Sequence, residues 1–216
     1  MTSHDTVMVV AAHSDDQILG PGATLAKYAK EGKRVVTVIL SYGETSHPHF
    51  KEEVIIKIRV DESQKADDVI GGYSLHFFDL KELNFQKEAL SKNVHEKLEV
   101  LVKEFSPSKI FTHSIDDPHP DHRATFHLVY SIAQAIHYEG RILSFDVWNI
   151  FPLKNRMSPK LYVDVSDTFS KKVKAMKCFK SQKLAMLSLT WLIYFRAYCH
   201  GWFSGCKYAE RFYIVQ

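Results

Sequence analysis

A Rossmann-like α/β fold is what this sequence predicts, with a mostly parallel sheet flanked by helices and one domain over residues 1–216. Three observations predict it. Short apolar, β-branched runs alternate with longer runs of helical period, the pattern of successive βαβ units. Glycines and prolines punctuate the joints between them. Two of the short runs end in clusters of His and Asp, which an open α/β sheet gathers in the crevice beyond the carboxyl ends of its strands.

Each element has its own reason. Val7-Met8-Val9-Val10-Ala11-Ala12 is apolar throughout and predicts a strand buried on both faces. Gly20-Pro21-Gly22 leads into a helix over Ala23–Glu31, with Leu25, Tyr28 and Ala29 at helical spacing and Gly32 as its stop. Arg34–Leu40 is a second β-branched strand. A helix follows over Glu52–Ile70, ended by Gly71-Gly72, and then a strand over Leu75–Phe78 that meets Asp79. Gln86–Phe105 predicts a long helix with Leu90, Val94, Leu98 and Leu101-Val102 inward, halted before Pro107. Lys109–His113 reads as a strand, Asp121–His137 as a helix and Leu143–Phe151 as a later strand. Lys154-Asn155-Arg156-Met157-Ser158-Pro159 reads as a strand-capping loop, and a helical, lysine-rich tail runs from Val165 onward.

Composition narrows the function classes. Of 216 residues, 45% are hydrophobic and 25% charged, ordinary for a globular chain with a sizeable core. The net charge of +3, without a basic arm, argues against nucleic acid. Met1 to Thr6 lacks a charged-then-apolar leader pattern, and no run approaches the roughly 18 apolar residues of a membrane span. The longest candidate, Leu184–Phe195, is interrupted by Ser188 and Thr190. Cys178, Cys199 and Cys206 lack Cys-x-x-Cys spacing and read as bystanders in a reducing, cytoplasmic setting.

The chemistry concentrates in His13-Ser14-Asp15-Asp16 and His119-Pro120-Asp121-His122. An offset of three lets His13 and Asp16 curl onto one side of the turn leaving the first strand, while Asp15 points elsewhere. His122 supplies a third ligand. Two imidazoles and a carboxylate suit a catalytic Zn2+ with an open position, and Fe2+ shares the same set. Asp15 is placed to take a proton from water acidified by that cation. His119 faces the substrate carbonyl, to stabilise an oxyanion or protonate a leaving amine. Asp121 is a partner that fixes a histidine tautomer. The other histidines, His113 among them, read as surface or packing residues.

Ala12-His13-Ser14-Asp15-Asp16-Gln17 with Leu19-Gly20 resembles the A-H-P-D-D-E-x-x-G signature of the LmbE-like, or PIG-L-type, N-acetylglucosaminyl deacetylases. Asp117 with His119-Pro120-Asp121-His122-Arg123-Ala124 resembles that family's D-x-H-P-D-H-R-A segment. Ser41-x-Gly43-Glu44, Arg59-x-x-Glu62, Val163-Asp164-Val165-Ser166, Ser181-Gln182 and Gly205-x-x-Tyr208-Ala209-Glu210-x-Phe212 agree in the same order. The resemblance implies His13, Asp16 and His122 as zinc ligands, Asp15 as general base and His119 as the residue assisting the tetrahedral intermediate. It also implies that Arg59 contacts the sugar or its aglycone. Ser14 replaces the usual Pro and loosens the turn; Gln17 replaces the usual Glu and removes a charge beside the cluster.

Asp79 and Glu44, each just past a strand, are further substrate-binding candidates. Lys171, Lys172, Lys174, Lys177, Lys180 and Lys183 read as a solvated helix face, with a surface for an anionic membrane as the lesser reading. The expected activity is metal-dependent removal of the acetyl group from an N-acetylglucosamine-type sugar or conjugate, with no nucleic-acid partner and with a membrane disfavoured. Cleavage of another amide conjugate, Fe(II)-dependent oxygenation and a non-catalytic sugar- or metal-binding module stay open, as does a homo-oligomer.

Overall fold

The structure, a computed structural model, describes residues 5–43, 51–85, 87–88, 93–148 and 158–216. Strands β1 (Thr6–Ala11), β2 (Arg34–Ile39), β3 (Ser74–Phe77), β4 (Lys109–His113), β5 (Arg141–Phe145), β6 (Lys160–Asp164) and β7 (Ala209–Ile214) form one sheet in the order β3-β2-β1-β4-β5-β7-β6. The first five are parallel, whereas β7 runs antiparallel to both β5 and β6. The helices are α1 (Asp16–Leu19), α2 (Gly22–Lys30), α3 (Glu52–Ile70), α4 (Val94–Phe105), α5 (Pro120–Ala135), α6 (Phe169–Met176) and α7 (Lys183–Ser204).

Alternation along β1 explains the two-layered cover. Val7 and Val9 face a core built with Leu25, Ala66, Ile70 and Phe111, beneath α2, α3, α6 and α7. Met8 and Val10 face the opposite core, with Val36, Leu98, Val129 and Ile142 beneath α4 and α5. Both faces are covered, so the strand sequences are continuous apolar runs rather than alternating ones.

Several boundaries differ from the sequence reading. At the strand expected over Leu143–Phe151, β5 begins at Arg141 and ends at Phe145; residues 149–151 lie outside the described set. The Val147 and Trp148 amides turn instead to Asp117 Oδ2, each at 3.4 Å, so the ladder stops. Within the helix expected over Gln86–Phe105, α4 starts at Val94 after Asn93 at φ 51°; Gln86 and residues 89–92 lie outside the described set. Most of the loop 154–159 and Glu44 lie outside it too. The tail beyond Val165 is not all helix: α6 and α7 are followed by β7, with β6 before them. Glu210 and Arg211 disguise β7 as polar sequence, yet Glu210 is buried because its carboxylate has partners. It accepts the α2 amides of Ala23 and Thr24 at 3.2 and 2.7 Å and pairs with Lys172 Nζ at 2.6 Å. Lys172 is therefore buried rather than part of a solvated face.

Candidate active site

β1 and β4 are hydrogen-bonded neighbours, so their carboxyl ends deliver His13 and the segment leading to His122 to one place. His119-Pro120-Asp121-His122 is the start of a helix. His119 is the N-cap, its Nδ1 accepting the Asp121 amide at 3.2 Å, and Pro120 occupies a position where a missing N–H costs nothing. This geometry turns His122, fully buried, inward toward β1.

Asp16 Oδ2 is the hub. It accepts the His13 amide at 2.9 Å and lies 3.2 Å from His13 Nδ1, 3.3 Å from His122 Nε2 and 3.4 Å from His113 Nε2. Its carboxyl is held well below the usual range: burial opposes ionisation, but the His122 and His113 rings prevail. His13 is pushed up to about 10. Burial pulls it down, while hydrogen bonding to Asp121 and Asp16 outweighs that pull. His122 is likewise raised, to about 9, by Asp16 and Asp117 against the cost of burial; its Nδ1 lies 2.9 Å from Asp117 Oδ1.

His113 behaves oppositely. Burial and the neighbouring His122 charge push it down to about 4, and its Nε2 accepts the Ala12 amide at 3.0 Å. It stacks on His122 with ring centroids 3.8 Å apart. Its other neighbour, Phe145, lies 4.7 Å away on the side where Gly20 permits close approach; a Cβ on Gly20 would stand 2.3 Å from the Phe145 ring.

Asp15 is paired with α3 rather than with the hub. Its Oδ2 lies 3.3 Å from Arg59 Nη2. Arg59 is buried on α3 and also donates from Nε to the Tyr42 carbonyl at 3.1 Å. His119 is half-buried, with its pKa lowered by burial and by the His13 and His122 charges. Asp121 Oδ2 is 3.3 Å from His13 Nε2 and accepts the Leu83 amide at 2.7 Å. Burial alone would raise its carboxyl; these two bonds hold it below the usual range. Asp79 is exposed, at φ 58°, where the loop carrying Glu82 and Leu83 leaves β3.

A divalent cation fits this donor set. His122 Nε2 is buried and faces Asp16 Oδ2 at 3.3 Å without the geometry of a hydrogen bond. His122 belongs to two compact groups: one with His13 and His119, the other with Asp16 and His113, the ligand atoms of each within 4.8 Å of one another. The sequence reading of His113 as mere packing missed its place beside Asp16. The available signal was its position, as the last residue of the strand adjoining β1. Glu82, whose Oε1 is 3.9 Å from His13 Nε2, carried no such signal.

Comparison with known proteins places this geometry among relatives. The chain is 26% identical over 199 residues to 4-oxalmesaconate hydratase of Pseudomonas putida, covering 84% of this chain and 76% of that protein. It is 26% identical over 227 residues to diacetylchitobiose deacetylase of Thermococcus kodakarensis, covering 94% and 80%. The crystal structure of GalB, the 4-carboxy-2-hydroxymuconate hydratase of Pseudomonas putida, shares the fold. Its TM-score is 0.83 at 23% identity, over 98% of this chain and 96% of that one. The PIG-L model, described as GlcNAc-PI de-N-acetylase, matches residues 8–133, a span holding every group of the cluster from His13 to His122. By that match, the chain belongs to the PIG-L family.

Proposed function

We propose that this chain, acting as one domain over residues 1–216, is a metal-dependent hydrolase of N-acetylglucosamine-type sugars or conjugates, releasing acetate and a free amine. The observation that carries the reading is Asp15, a carboxylate beside the His13–Asp16–His122 cluster but outside its hub, inside a span matched by a de-N-acetylase family. His13, Asp16 and His122 would hold Zn2+, with Fe2+ suited to the same donors. The bound cation would supply Lewis-acid chemistry, acidifying water and drawing charge from the acyl oxygen.

The chain's own residues account for the proton and charge movements. Asp15 accepts the proton as the water oxygen bonds to the acyl carbon; the C–N bond then breaks and the departing nitrogen regains that proton. Because His119 Nδ1 accepts the Asp121 amide, a neutral His119 carries its proton on Nε2, where it can donate to the developing oxyanion. Asp121 orients His13 from the far side of its ring. Arg59 aims Asp15 and reaches the sugar or aglycone, and Asp79 and Glu44 complete the substrate contacts.

A second reading is addition of water to a carbon–carbon double bond, favoured by the likeness to 4-oxalmesaconate hydratase. One experiment separates the two. The zinc- or iron-loaded protein is offered a panel of N-acetylglucosamine conjugates, with amine release recorded, and 4-oxalmesaconate, with loss of conjugated absorbance recorded. Amine release supports deacetylation; hydration alone replaces it.

A further inference from the structure

Helix α7 is apolar on two sides. One side packs Met186, Leu189, Ile193 and Ala197 into the core. The other presents Leu184, Leu187, Trp191, Phe195, Tyr198 and Trp202 to solvent, at steps of three and four that keep them in one stripe. Leu184 is 84% exposed, Trp191 63% and Trp202 76%. At roughly 200 Å² per aromatic ring, the exposed aromatics of α7 leave several hundred Å² uncovered, more than scattered surface residues explain.

The surroundings identify what covers it. From Thr168 to Ala209 the sequence contains no Asp or Glu. Lys171, Lys174, Lys177, Lys180, Lys183 and Lys207 remain for the surface once Lys172 is paired with Glu210 and Arg196 is turned onto the Asp146 and Val147 carbonyls. An open groove of about 590 Å³ adjoins the amino end of the stripe, with Val173, Met176 and Phe179 beside Lys177, Lys180 and Lys183. A second copy laid face to face on this stripe would set the lysines of α6–α7 against their own counterparts, because that segment carries no acid of its own. An anionic lipid surface answers both features: phosphates for the lysines and acyl chains for the aromatic stripe and groove. Tyr and Trp, apolar with a polar tip, suit that interface. No helix among the described residues is long and apolar enough to cross a membrane, so α7, about 33 Å long, would lie along the surface.

We propose that the α6–α7 face docks on anionic phospholipid bilayers. The test uses the full chain without substrate, so its outcome is independent of the reaction assigned above. The protein is sedimented with phosphatidylcholine vesicles and with mixed phosphatidylcholine–phosphatidylglycerol vesicles, at low and high salt, and tryptophan emission is followed. The expected result is binding to the anionic vesicles, weakened by salt, with a blue shift from Trp191 and Trp202. Lys177→Gln/Lys180→Gln/Lys183→Gln weakens it by about tenfold or more. Trp202→Ser, at a highly exposed position, weakens it while leaving the circular dichroism unchanged. Absence of binding to anionic vesicles at low salt overturns the proposal. So does a dimer that Trp202→Ser dissociates in protein showing no vesicle binding.

Discussion

Arg59 brings its Nη2 to within 3.3 Å of Asp15 Oδ2 while its Nε is tied to the Tyr42 carbonyl at 3.1 Å. A flat guanidinium fixed at both ends sets the direction of the carboxylate as well as its charge. Lysine supplies the charge but not the fork. Arg59→Lys is therefore expected to lower kcat about tenfold with smaller change in KM and unchanged metal content. Steady-state kinetics on the best substrate from the panel check this; a change confined to KM would assign Arg59 to substrate contact alone.

Asp15→Ala removes the proposed proton acceptor without touching the hub at Asp16. Turnover is expected to fall by about two to three orders of magnitude, with metal retained by elemental analysis. Loss of metal from this variant would move Asp15 into the ligand set.

Metal binding is expected to expel protons. In the metal-free protein His13 titrates near 10 and His122 near 9, so both imidazoles are charged at neutral pH. Ligation requires them neutral, and about two protons should leave per cation near pH 7. Titration calorimetry in buffers of different ionisation heat counts them, and a count of zero would contradict the assignment. The sign for stability follows. Both folded values lie above the ordinary 6.5, so these pairs stabilise the metal-free protein fully below about 6.5 and lose that contribution as pH rises through about 9 to 10.

Asp67 provides a second pH signature, remote from the cluster. Burial raises its carboxyl to about 7, against the hydrogen bond from Thr37 Oγ1 at 2.8 Å. Folded, it binds its proton more tightly than unfolded, so its contribution is full below about 3.8 and is lost as pH rises through about 7. Asp67→Asn should therefore raise the melting temperature clearly at pH 8, less at pH 5, and make little difference near pH 3.5. Thermal melts across this series decide it; an equal shift at every pH would point to packing instead.

Lys172 and Glu210, both buried, meet at 2.6 Å. Removing one leaves an uncompensated buried charge, and Lys172→Ala should cost about 3–5 kcal/mol in denaturant unfolding. Lys172→Met/Glu210→Gln should cost less than the two single changes combined, and additivity in that cycle would show that the pair is uncoupled.

Much of the fold and cluster was legible because residue type carried it. Val7 to Ala12 can only be buried, and His119-Pro120 spells a helix start that orients His122. The parts missed depend on partners rather than on composition. His113 reads as packing until the pairing of β1 and β4 sets it beside Asp16. Leu83 serves Asp121 through its backbone amide, which no side chain advertises. Glu210 hides β7 because a charged residue in a buried strand makes sense only once Lys172 and the amides of α2 are seen around it.

The placement of β7 also fixes an order of assembly. It lies between β5 and β6, and its Glu210 caps the amino end of α2, formed from sequence almost the length of the chain away. During synthesis the edge of β5 stays bare and α2 lacks its carboxylate until residues 209–214 have left the ribosome. An uncovered strand edge invites pairing with other chains, so the nascent protein is vulnerable to aggregation until β7 arrives, and truncations within β7 should fail by precipitation rather than by loss of chemistry.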